Sequence, residues 1–341
     1  MADASAKNGH GATNGTPKDA ARAWGGIDLG GTKIEAVVVD ASGEVLGRAR
    51  HLTPAEGGPD VIVKELYGTL GEAAKTAGIE PAKLAGVGVG APGAVDANSG
   101  TLAHTANVAG GWEAPYPLAS DLGDLVGGKV VLGNDVQVAV AAEYKLGAGR
   151  DYRSLLGVWW GTGVGGGLVL NGVPWRGQGA AGEIGHMVVK PNGARCGCGR
   201  RGCMEAYAGR ASMERKARSA ARKGEKTVLF DIMREKHRTR LSSGVWARAL
   251  KEKDPLATRL IDRAIEMLGA TLASVINLLD LEAIVIGGGL GSRLGPAYLG
   301  RIQDAMYPHL FITERRPAMH VSTLGDLSGA IGAALLAGPQ M

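Results

Sequence analysis

Cysteine, aromatic residues and long apolar runs are all scarce in this sequence of 341 residues. Aromatic residues make up 4% of the chain, and only three cysteines occur in it. Three cysteines are too few for the disulfide framework that holds small secreted proteins together. No apolar run is long enough to span a membrane, and the N-terminal residues lack the apolar segment of a signal peptide. We therefore expect a cytoplasmic protein that does not enter a membrane.

The charge balance is mildly basic and unevenly distributed. The chain has 38 Lys and Arg against 33 Asp and Glu, and much of the excess lies between Arg210 and Arg240. Two interpretations fit cations that alternate with apolar residues at helical spacing: a solvated helix face, or a surface for polyphosphate or nucleic acid. No aromatic platform accompanies this stretch to stack on bases. We therefore favour the solvated face and do not expect a nucleic-acid partner.

Glycine is abundant, and its distribution suggests a repeated unit. The chain has 56 glycines without a triplet period, so we expect them in turns where the backbone closely approaches a partner. Two such turns, 29–33 and 161–166, each lie between short apolar runs that are typical of strands. The pattern predicts strands at 24–28, 35–40, 44–50, 86–90, 129–132, 155–160, 167–170 and 282–286, and helices at 59–77, 135–146, 254–279 and 325–336. Two α/β units, each opening with a strand hairpin, fit these elements.

The glycine turns have the composition of phosphate-binding loops, since backbone N–H groups without a neighbouring Cβ can converge on phosphate oxygens. Gly161, Gly163 and Gly166 match the dinucleotide-binding fingerprint, but a strand-like run follows where that fingerprint needs a helix. No Walker A sequence occurs. Two hairpin turns and a third turn at Gly287–Gly289 remain, and each alone also fits an ordinary structural turn.

Asp28 lies beside the first turn, where a carboxylate close to phosphates is unfavourable unless it holds a cation. We therefore expect it to serve Mg²⁺, either directly or through water. Gly30 and Gly31 then provide the turn, while Thr32 and Lys33 offer a hydroxyl and an ammonium group to the phosphate oxygens.

All three cysteines lie within eight residues, at Cys196, Cys198 and Cys203. Three thiolates need a fourth ligand for tetrahedral zinc, and His186 lies ten residues upstream across a turn. The spacing predicts a closed Cys₃His zinc site with a structural role; reactive or simply buried thiols are the alternative. With one imidazole nitrogen on zinc, the other is free to bind a ligand.

Two glutamates flank this predicted zinc site. Glu183 and Glu205 would be held close together by it, and two carboxylates with an imidazole suit the vicinal hydroxyls of a sugar. Surface glutamates beside a zinc loop are the alternative interpretation.

Asp135 follows a predicted strand and opens a predicted helix. Either Asn134 or Asp135 fits the role of N-cap. Asp135 also fits a general base that accepts the proton of an attacking hydroxyl, and the two roles are compatible.

Taken together, these motifs resemble the ROK family of sugar kinases and sugar-responsive repressors, in particular its glucokinase-like members. The resemblance runs from about residue 25 to 338. Its marks, in order, are Asp28-Leu29-Gly30-Gly31-Thr32-Lys33, Gly90-Ala91-Pro92-Gly93, Asn134-Asp135, Gly161-Thr162-Gly163-Val164-Gly165-Gly166-Gly167, Glu183-Ile184-Gly185-His186 and Cys203-Met204-Glu205.

The resemblance implies an actin-like ATPase (ribonuclease H-like) α/β fold of two domains with a cleft between them, in a homodimer or higher homo-oligomer. It divides the chain into a disordered tail (1–23), a small domain (24–134, completed by 326–341) and a large domain with the zinc site (135–325). It implies Asp135 as general base and a set of sugar-binding residues: Gly93, Asn107, Asn134, Asp135, Glu183, His186 and Glu205. It implies a nucleotide and Mg²⁺ at Asp28, Gly30, Gly31, Thr32, Lys33, Thr162, Gly163, Gly287 and Gly288. It assigns structural zinc to His186, Cys196, Cys198 and Cys203.

Two departures from the family pattern concern the sugar loop and the second turn. One extra residue follows Asn107 before Trp112, which affects the reach of Asn107. Trp159 and Trp160 are bulkier than the usual aliphatic pair before the turn.

The expected function is phosphorylation of a hexose by ATP at the 6-hydroxyl, with glucose as first choice. Mannose, fructose and N-acetylmannosamine are alternatives, because sequence does not resolve pocket contours at that scale. A sugar-sensing repressor and a non-catalytic sugar-binding protein are the rivals from other classes. With 23 residues before the first strand and Asp135 and both phosphate turns present, we favour the kinase.

Overall fold

The chain forms two similar mixed sheets with helices packed around them. A computed structural model describes residues 22–105, 108, 112 and 114–338. The strands are β1 (Trp24–Leu29), β2 (Lys33–Val39), β3 (Val45–Leu52), β4 (Val87–Ala91), β5 (Ala94–Asp96), β6 (Thr101–Ala103), β7 (Val130–Asn134), β8 (Leu155–Trp160), β9 (Val164–Leu170), β10 (Val173–Trp175), β11 (Ala283–Gly287) and β12 (Ala318–Val321). The helices are α1 (Pro59–Thr76), α2 (Leu118–Val126), α3 (Asp135–Leu146), α4 (Glu205–Ala208), α5 (Arg210–Arg222), α6 (Leu229–Glu235), α7 (Ser243–Lys251), α8 (Pro255–Leu279), α9 (Gly288–Met306) and α10 (Ser328–Ala337).

The second large sheet repeats the strand order of the first. The first sheet has the order β3-β2-β1-β4-β7, and the second has the order β10-β9-β8-β11-β12. In each, three antiparallel strands are followed by two strands that run parallel to the central one. The two α/β units predicted from the repeated hairpins are therefore present. The domain boundary between residues 134 and 135 stays a prediction.

Helices α10 and α3 lie between the two sheets and pack on each other. α10 covers β1 and β4 of the first sheet, while α3 packs on β9 of the second. Glycines permit this packing: a Cβ on Gly26 or Gly88 would overlap the backbone of α10, and a Cβ on Gly332 would overlap the backbone of α3. We expected the glycines in turns, and these three lie within strands and a helix instead. That expectation was incomplete, because close helix–sheet packing also requires glycine.

Several predicted elements differ from the observed ones. The predicted helix at 325–336 begins as a 3₁₀ turn, Gly325–Leu327, and becomes α-helical at Ser328. The basic stretch does not form one helix: it divides into α5 and α6. Within the described part of the chain, no helix has both the length and the apolar character needed to cross a bilayer.

We predict that Gly88→Ala destabilises the protein by about 1–3 kcal/mol, because the added methyl group overpacks the contact between β4 and α10. Urea unfolding followed by circular dichroism measures the change. Gly68→Ala is the matched control, since Gly68 lies in α1 with nothing within 4 Å of its added Cβ. The control should be neutral or stabilising by up to ~1 kcal/mol. Equal stabilities of the two variants would contradict this account of the packing.

Candidate functional site

The start of α3 presents a carboxylate at the end of a sheet strand. Asn134 ends β7, and its Oδ1 accepts hydrogen bonds from the backbone N–H groups of Val136 and Gln137, each at 3.1 Å. Asn134 is therefore the N-cap of α3. Asp135 is the first helical residue, and its Oδ1 accepts only a short-range bond, from the Val136 N–H at 2.9 Å. Because Asn134 caps the helix, Asp135 is not required as the N-cap.

Burial makes the two aspartates of this region hold their protons unusually tightly. Loss of solvent raises the pKa of Asp135 to about 6, the Val136 N–H lowers it, and the nearby charge of Glu183 raises it again. Loss of solvent, together with the charge of Asp135, raises the pKa of Asp28 to about 7, although Lys33 opposes the shift. The structure thus places Asp28 of β1 within electrostatic reach of Asp135. A carboxylic acid with a pKa close to neutrality is suited to proton transfer.

The first glycine turn joins β1 and β2 and carries its lysine in an ion-pair network. The Gly30 N–H donates to the Lys33 carbonyl at 3.0 Å, which closes the turn. Gly31 and Thr32 are exposed. Lys33 Nζ lies 3.3 Å from Glu35 Oε2 and 3.2 Å from Asp326 Oδ2. The Lys33 ammonium group, which we expect to bind phosphate, is therefore already paired with two carboxylates. A bound phosphate would contact the same ammonium group.

The second glycine turn, between β8 and β9, is held by the segment that follows the zinc loop. Gly161 N–H donates to the Gly163 carbonyl at 3.0 Å. Glu205 Oε2 accepts from the Val164 N–H at 3.0 Å, and a Cβ on Gly163 would overlap the same oxygen. Glu205, predicted to bind sugar, is therefore in direct contact with the turn predicted to bind phosphate.

The third glycine turn opens α9 next to the second. A Cβ on Gly161 would lie 3.9 Å from the Gly289 nitrogen, so the two turns are neighbours. Gly288 has a φ of 78°, and a Cβ there would lie 2.8 Å from the Trp160 nitrogen. Thr162, Gly163, Gly287 and Gly288 thus gather at one end of the second sheet.

The predicted zinc ligands come together. The ligand atoms of His186, Cys196, Cys198 and Cys203 all lie within 4.8 Å of one another. Cys198 Sγ is 3.8 Å from Cys203 Sγ, and Cys196 Sγ is 3.8 Å from His186 Nδ1. Two thiolates bound tetrahedrally at a Zn–S distance of about 2.3 Å would lie roughly 3.8 Å apart. The cluster therefore fits zinc in donor chemistry and in spacing.

The zinc cluster also orders the predicted sugar-binding side chains. His186 directs Nδ1 to the cysteines, while its Nε2 lies 3.9 Å from Glu183 Oε2. Glu205 begins α4 two residues after Cys203, and its Oε1 lies 3.6 Å from Cys196 Sγ. Glu183, His186 and Glu205 therefore lie around one side of the cluster, and Glu183 is near enough to Asp135 to affect its pKa.

Gly93, another predicted sugar-binding residue, lies in the turn before β5. Gly93 has a φ of 102°, and a Cβ there would lie 2.6 Å from the Ala103 carbonyl oxygen. The turn before β5 therefore requires a glycine for structural reasons alone. Asn107 lies outside the described residues.

The sequence reasoning missed Arg210, which it counted with a solvated basic face. Arg210 is half-buried, and its guanidinium group donates to Thr162 Oγ1 at 2.7 Å. The only signal in the sequence was its place five residues after Glu205. Two other cations of the stretch are paired within the fold: buried Glu214 accepts from Arg218 and Arg240.

Comparison with known proteins identifies the family. The model of the ROK family matches residues 24–339. This chain belongs to the ROK family. The glucokinase of Thermotoga maritima is 30% identical to it over 84% of this chain and 87% of the relative. The N-acetylgalactosamine kinase of a Shewanella species is 31% identical over 91% of this chain and 95% of the relative.

The solved structures agree with the family assignment. The ROK family glucokinase from Streptomyces griseus, in complex with glucose and AMPPNP, is 31% identical, with a TM-score of 0.79 over 92% of this chain and 99% of that chain. The ROK hexokinase from Thermus thermophilus is 33% identical, with a TM-score of 0.76 over 92% and 97%. These matches confirm the actin-like fold expected from the sequence, and the chain is a sugar kinase of the ROK family.

We predict that Cys198→Ser loses zinc. Mutation of residues that only hydrogen-bond to zinc ligands already lowers metal affinity by about 10- to 100-fold. Removal of a ligand itself should therefore weaken zinc binding by at least about 100-fold. Metal analysis of the purified protein measures zinc content, and titration with a competing chelator measures affinity. The KM for sugar should rise, because the cluster orders Glu183, His186 and Glu205.

Lys190→Gln is the matched control, since Lys190 is an exposed residue of the same loop and not a ligand. It should keep full zinc content and the normal KM for sugar. A Cys198→Ser protein with full zinc content and unchanged KM would refute the structural role of the cluster.

Proposed function

We propose that this ROK kinase transfers the γ-phosphoryl group of ATP to the 6-hydroxyl of a hexose, most readily glucose, with Asp135 as general base. The observation that carries the proposal is the continuity of the site. Glu183 affects Asp135 from the sugar side, while Glu205 contacts both the zinc cluster and Gly163 of the phosphate turn. A sugar held by these carboxylates would lie between the base and the phosphates.

In the proposed reaction, Asp135 accepts the proton of the 6-hydroxyl as that oxygen attacks the γ-phosphorus and ADP leaves. Gly30, Gly31 and Thr32 of the first turn, with Thr162 and Gly163 of the second, would bind the phosphates by backbone N–H and hydroxyl groups. Gly287 and Gly288 would lie next to the adenosine.

Two metals belong to this proposal. His186, Cys196, Cys198 and Cys203 would hold zinc as a closed set of four ligands, which leaves zinc a structural role. Asp28 would serve Mg²⁺: its pKa of about 7 reflects a carboxylate whose charge is poorly solvated, and a cation would relieve that cost. Mg²⁺, when bound with ATP, neutralises charge on the phosphates.

The choice of glucose rests on the kinase relatives, which include a glucokinase and an N-acetylgalactosamine kinase. Mannose, fructose and N-acetylated hexosamines are therefore the alternatives within the kinase class. A non-catalytic sugar sensor of the repressor type is the alternative outside it. Asp135 and the phosphate turns favour catalysis, because a sensor has no need of a base. Cytoplasmic location and a homodimer or higher homo-oligomer stay predictions.

The decisive measurement is ADP release with Mg-ATP against a panel of hexoses. We expect release that depends on sugar, with glucose giving the highest kcat/KM. A different leading sugar would change the substrate but keep the reaction. If none of the sugars gives ADP release from folded zinc-loaded protein, that result would favour the sensor or a donor other than ATP. Polyphosphate serves as a second donor in the same panel, and no turnover with it would exclude it as donor.

We predict that Asp135→Asn lowers kcat by about two to four orders of magnitude, the usual contribution of a positioned base, while sugar binding survives. In the native protein, kcat/KM should fall about tenfold per pH unit below pH 6, because a raised pKa of about 6 leaves the base protonated there. Asp151→Asn is the control, since Asp151 is an exposed aspartate. Near-normal turnover of Asp135→Asn would refute the assignment of the base.

A further inference from the structure

Arg210 connects the start of α5 to the second phosphate turn through its backbone. Its N–H donates to the Gly161 carbonyl at 3.1 Å, and the N–H of the next residue, Ala211, donates to the Thr162 carbonyl at 3.0 Å. These two bonds fix the first turn of α5 against the loop between β8 and β9. The backbone of Arg210 is therefore held next to the loop, so its side chain starts within reach of Thr162.

The guanidinium group of Arg210 adds a second connection. Nη2 donates to Thr162 Oγ1 at 2.7 Å, and Nη1 donates to the carbonyl oxygen of buried Leu241 at 2.8 Å. Among the described residues, no carboxylate forms an ion pair with Arg210; the nearest acid that affects it, Glu214, is bound by Arg218 and Arg240. A half-buried cation is therefore present without a partner anion beside a turn that the proposed function assigns to phosphates.

This arrangement decides what the Thr162 hydroxyl can do. A hydroxyl has one proton to donate and two lone pairs to accept with. Because Arg210 donates to Thr162 Oγ1, the oxygen is fixed as an acceptor on that side, and its own proton remains to be donated elsewhere. Thr162 is exposed, so a phosphate oxygen can accept that proton.

The contact with Leu241 extends the connection to the rest of the nucleotide region. Leu241 precedes Ser242, the N-cap of α7. The next residue, Ser243, has its Oγ 3.7 Å from where a Cβ on Gly289 of α9 would lie. Arg210 thus holds together the phosphate turn and the loop that contacts the start of α9.

We propose that Arg210 is a positioning residue for the phosphates of the nucleotide. It orients the Thr162 hydroxyl toward a phosphate oxygen and supplies an uncompensated positive charge one hydrogen bond away. This proposal rests on the proposed kinase function and names a residue that recognises the nucleoside di- or triphosphate. The competing explanation is a purely structural role, in which Arg210 only anchors α5.

The two explanations differ in which ligands lose affinity. We expect Arg210→Met to weaken Mg-ADP binding by about 10- to 100-fold, the range for loss of a hydrogen bond to a charged group. Binding of adenosine, which has no phosphate, and of glucose should stay within about twofold. Arg210→Lys, which keeps the charge, should recover part of the loss. Arg222→Met is the matched control, since Arg222 is exposed on the same helix.

Isothermal titration calorimetry with the zinc-loaded protein gives these affinities, and circular dichroism checks the fold. Thr162→Val should weaken Mg-ADP binding without removing the contact between Arg210 and Leu241. Because Arg210 acts through Thr162, the Arg210→Met and Thr162→Val losses should be less than additive in the double variant.

Three results would overturn the proposal: native Mg-ADP affinity in Arg210→Met, equal losses for adenosine, glucose and Mg-ADP, or fully additive losses in the double variant. If Arg210→Met does not fold, native affinity in Thr162→Val overturns it instead. Binding needs no turnover, so failure of the kinase assay is a separate result. A phosphate-specific Arg210 effect in a protein without sugar-dependent ADP release would refute the kinase and support this assignment.

Discussion

The close packing of α3 on α10 between the two sheets is the contact on which the rest of the structure depends. It exists because Gly332 of α10 has no Cβ to keep it from the backbone of α3, while Gly26 and Gly88 let α10 approach the first sheet. α3 carries Asp135 at its first position, so this packing sets where the proposed base lies. Near the other end of α3, buried Glu143 accepts hydrogen bonds from the N–H of Leu324 and the hydroxyl of Ser322. The helix that holds the base is thus attached to the chain that returns to the first sheet.

The second glycine turn depends on Glu205 for its position. Its carboxylate lies 3.6 Å from Cys196 on one side and accepts the Val164 N–H on the other. The cluster of His186, Cys196, Cys198 and Cys203 is therefore connected to the second glycine turn, because one side chain contacts both. Gly163 is required there for a tertiary reason, since a side chain would overlap the Glu205 oxygen. The proposed sugar and nucleotide regions therefore share one side chain, Glu205.

Three cations of the basic stretch make specific contacts within the fold. Glu214 is buried and receives Arg218 and Arg240, which offsets the cost of removing its charge from water. Arg210 takes no part in those pairs and donates to Thr162 instead. At the first glycine turn, Lys33 is likewise paired, with Glu35 and Asp326. These contacts involve Arg210, Arg218 and Arg240, while other cations of the stretch, such as Lys223 and Lys226, are exposed.

The sequence alone determined the features that depend on neighbours along the chain. The hairpins, the long helix α8 and the zinc ligands, three of them within eight residues, were predictable because periodicity and ligand spacing are local. Short edge strands such as β10 and β12 carry too few residues for a period. The bonds of Arg210 to Thr162 and of Glu143 to Leu324 were decided only by the tertiary structure. They join residues far apart in the chain, and no local pattern records which buried cation or carboxylate meets which distant partner.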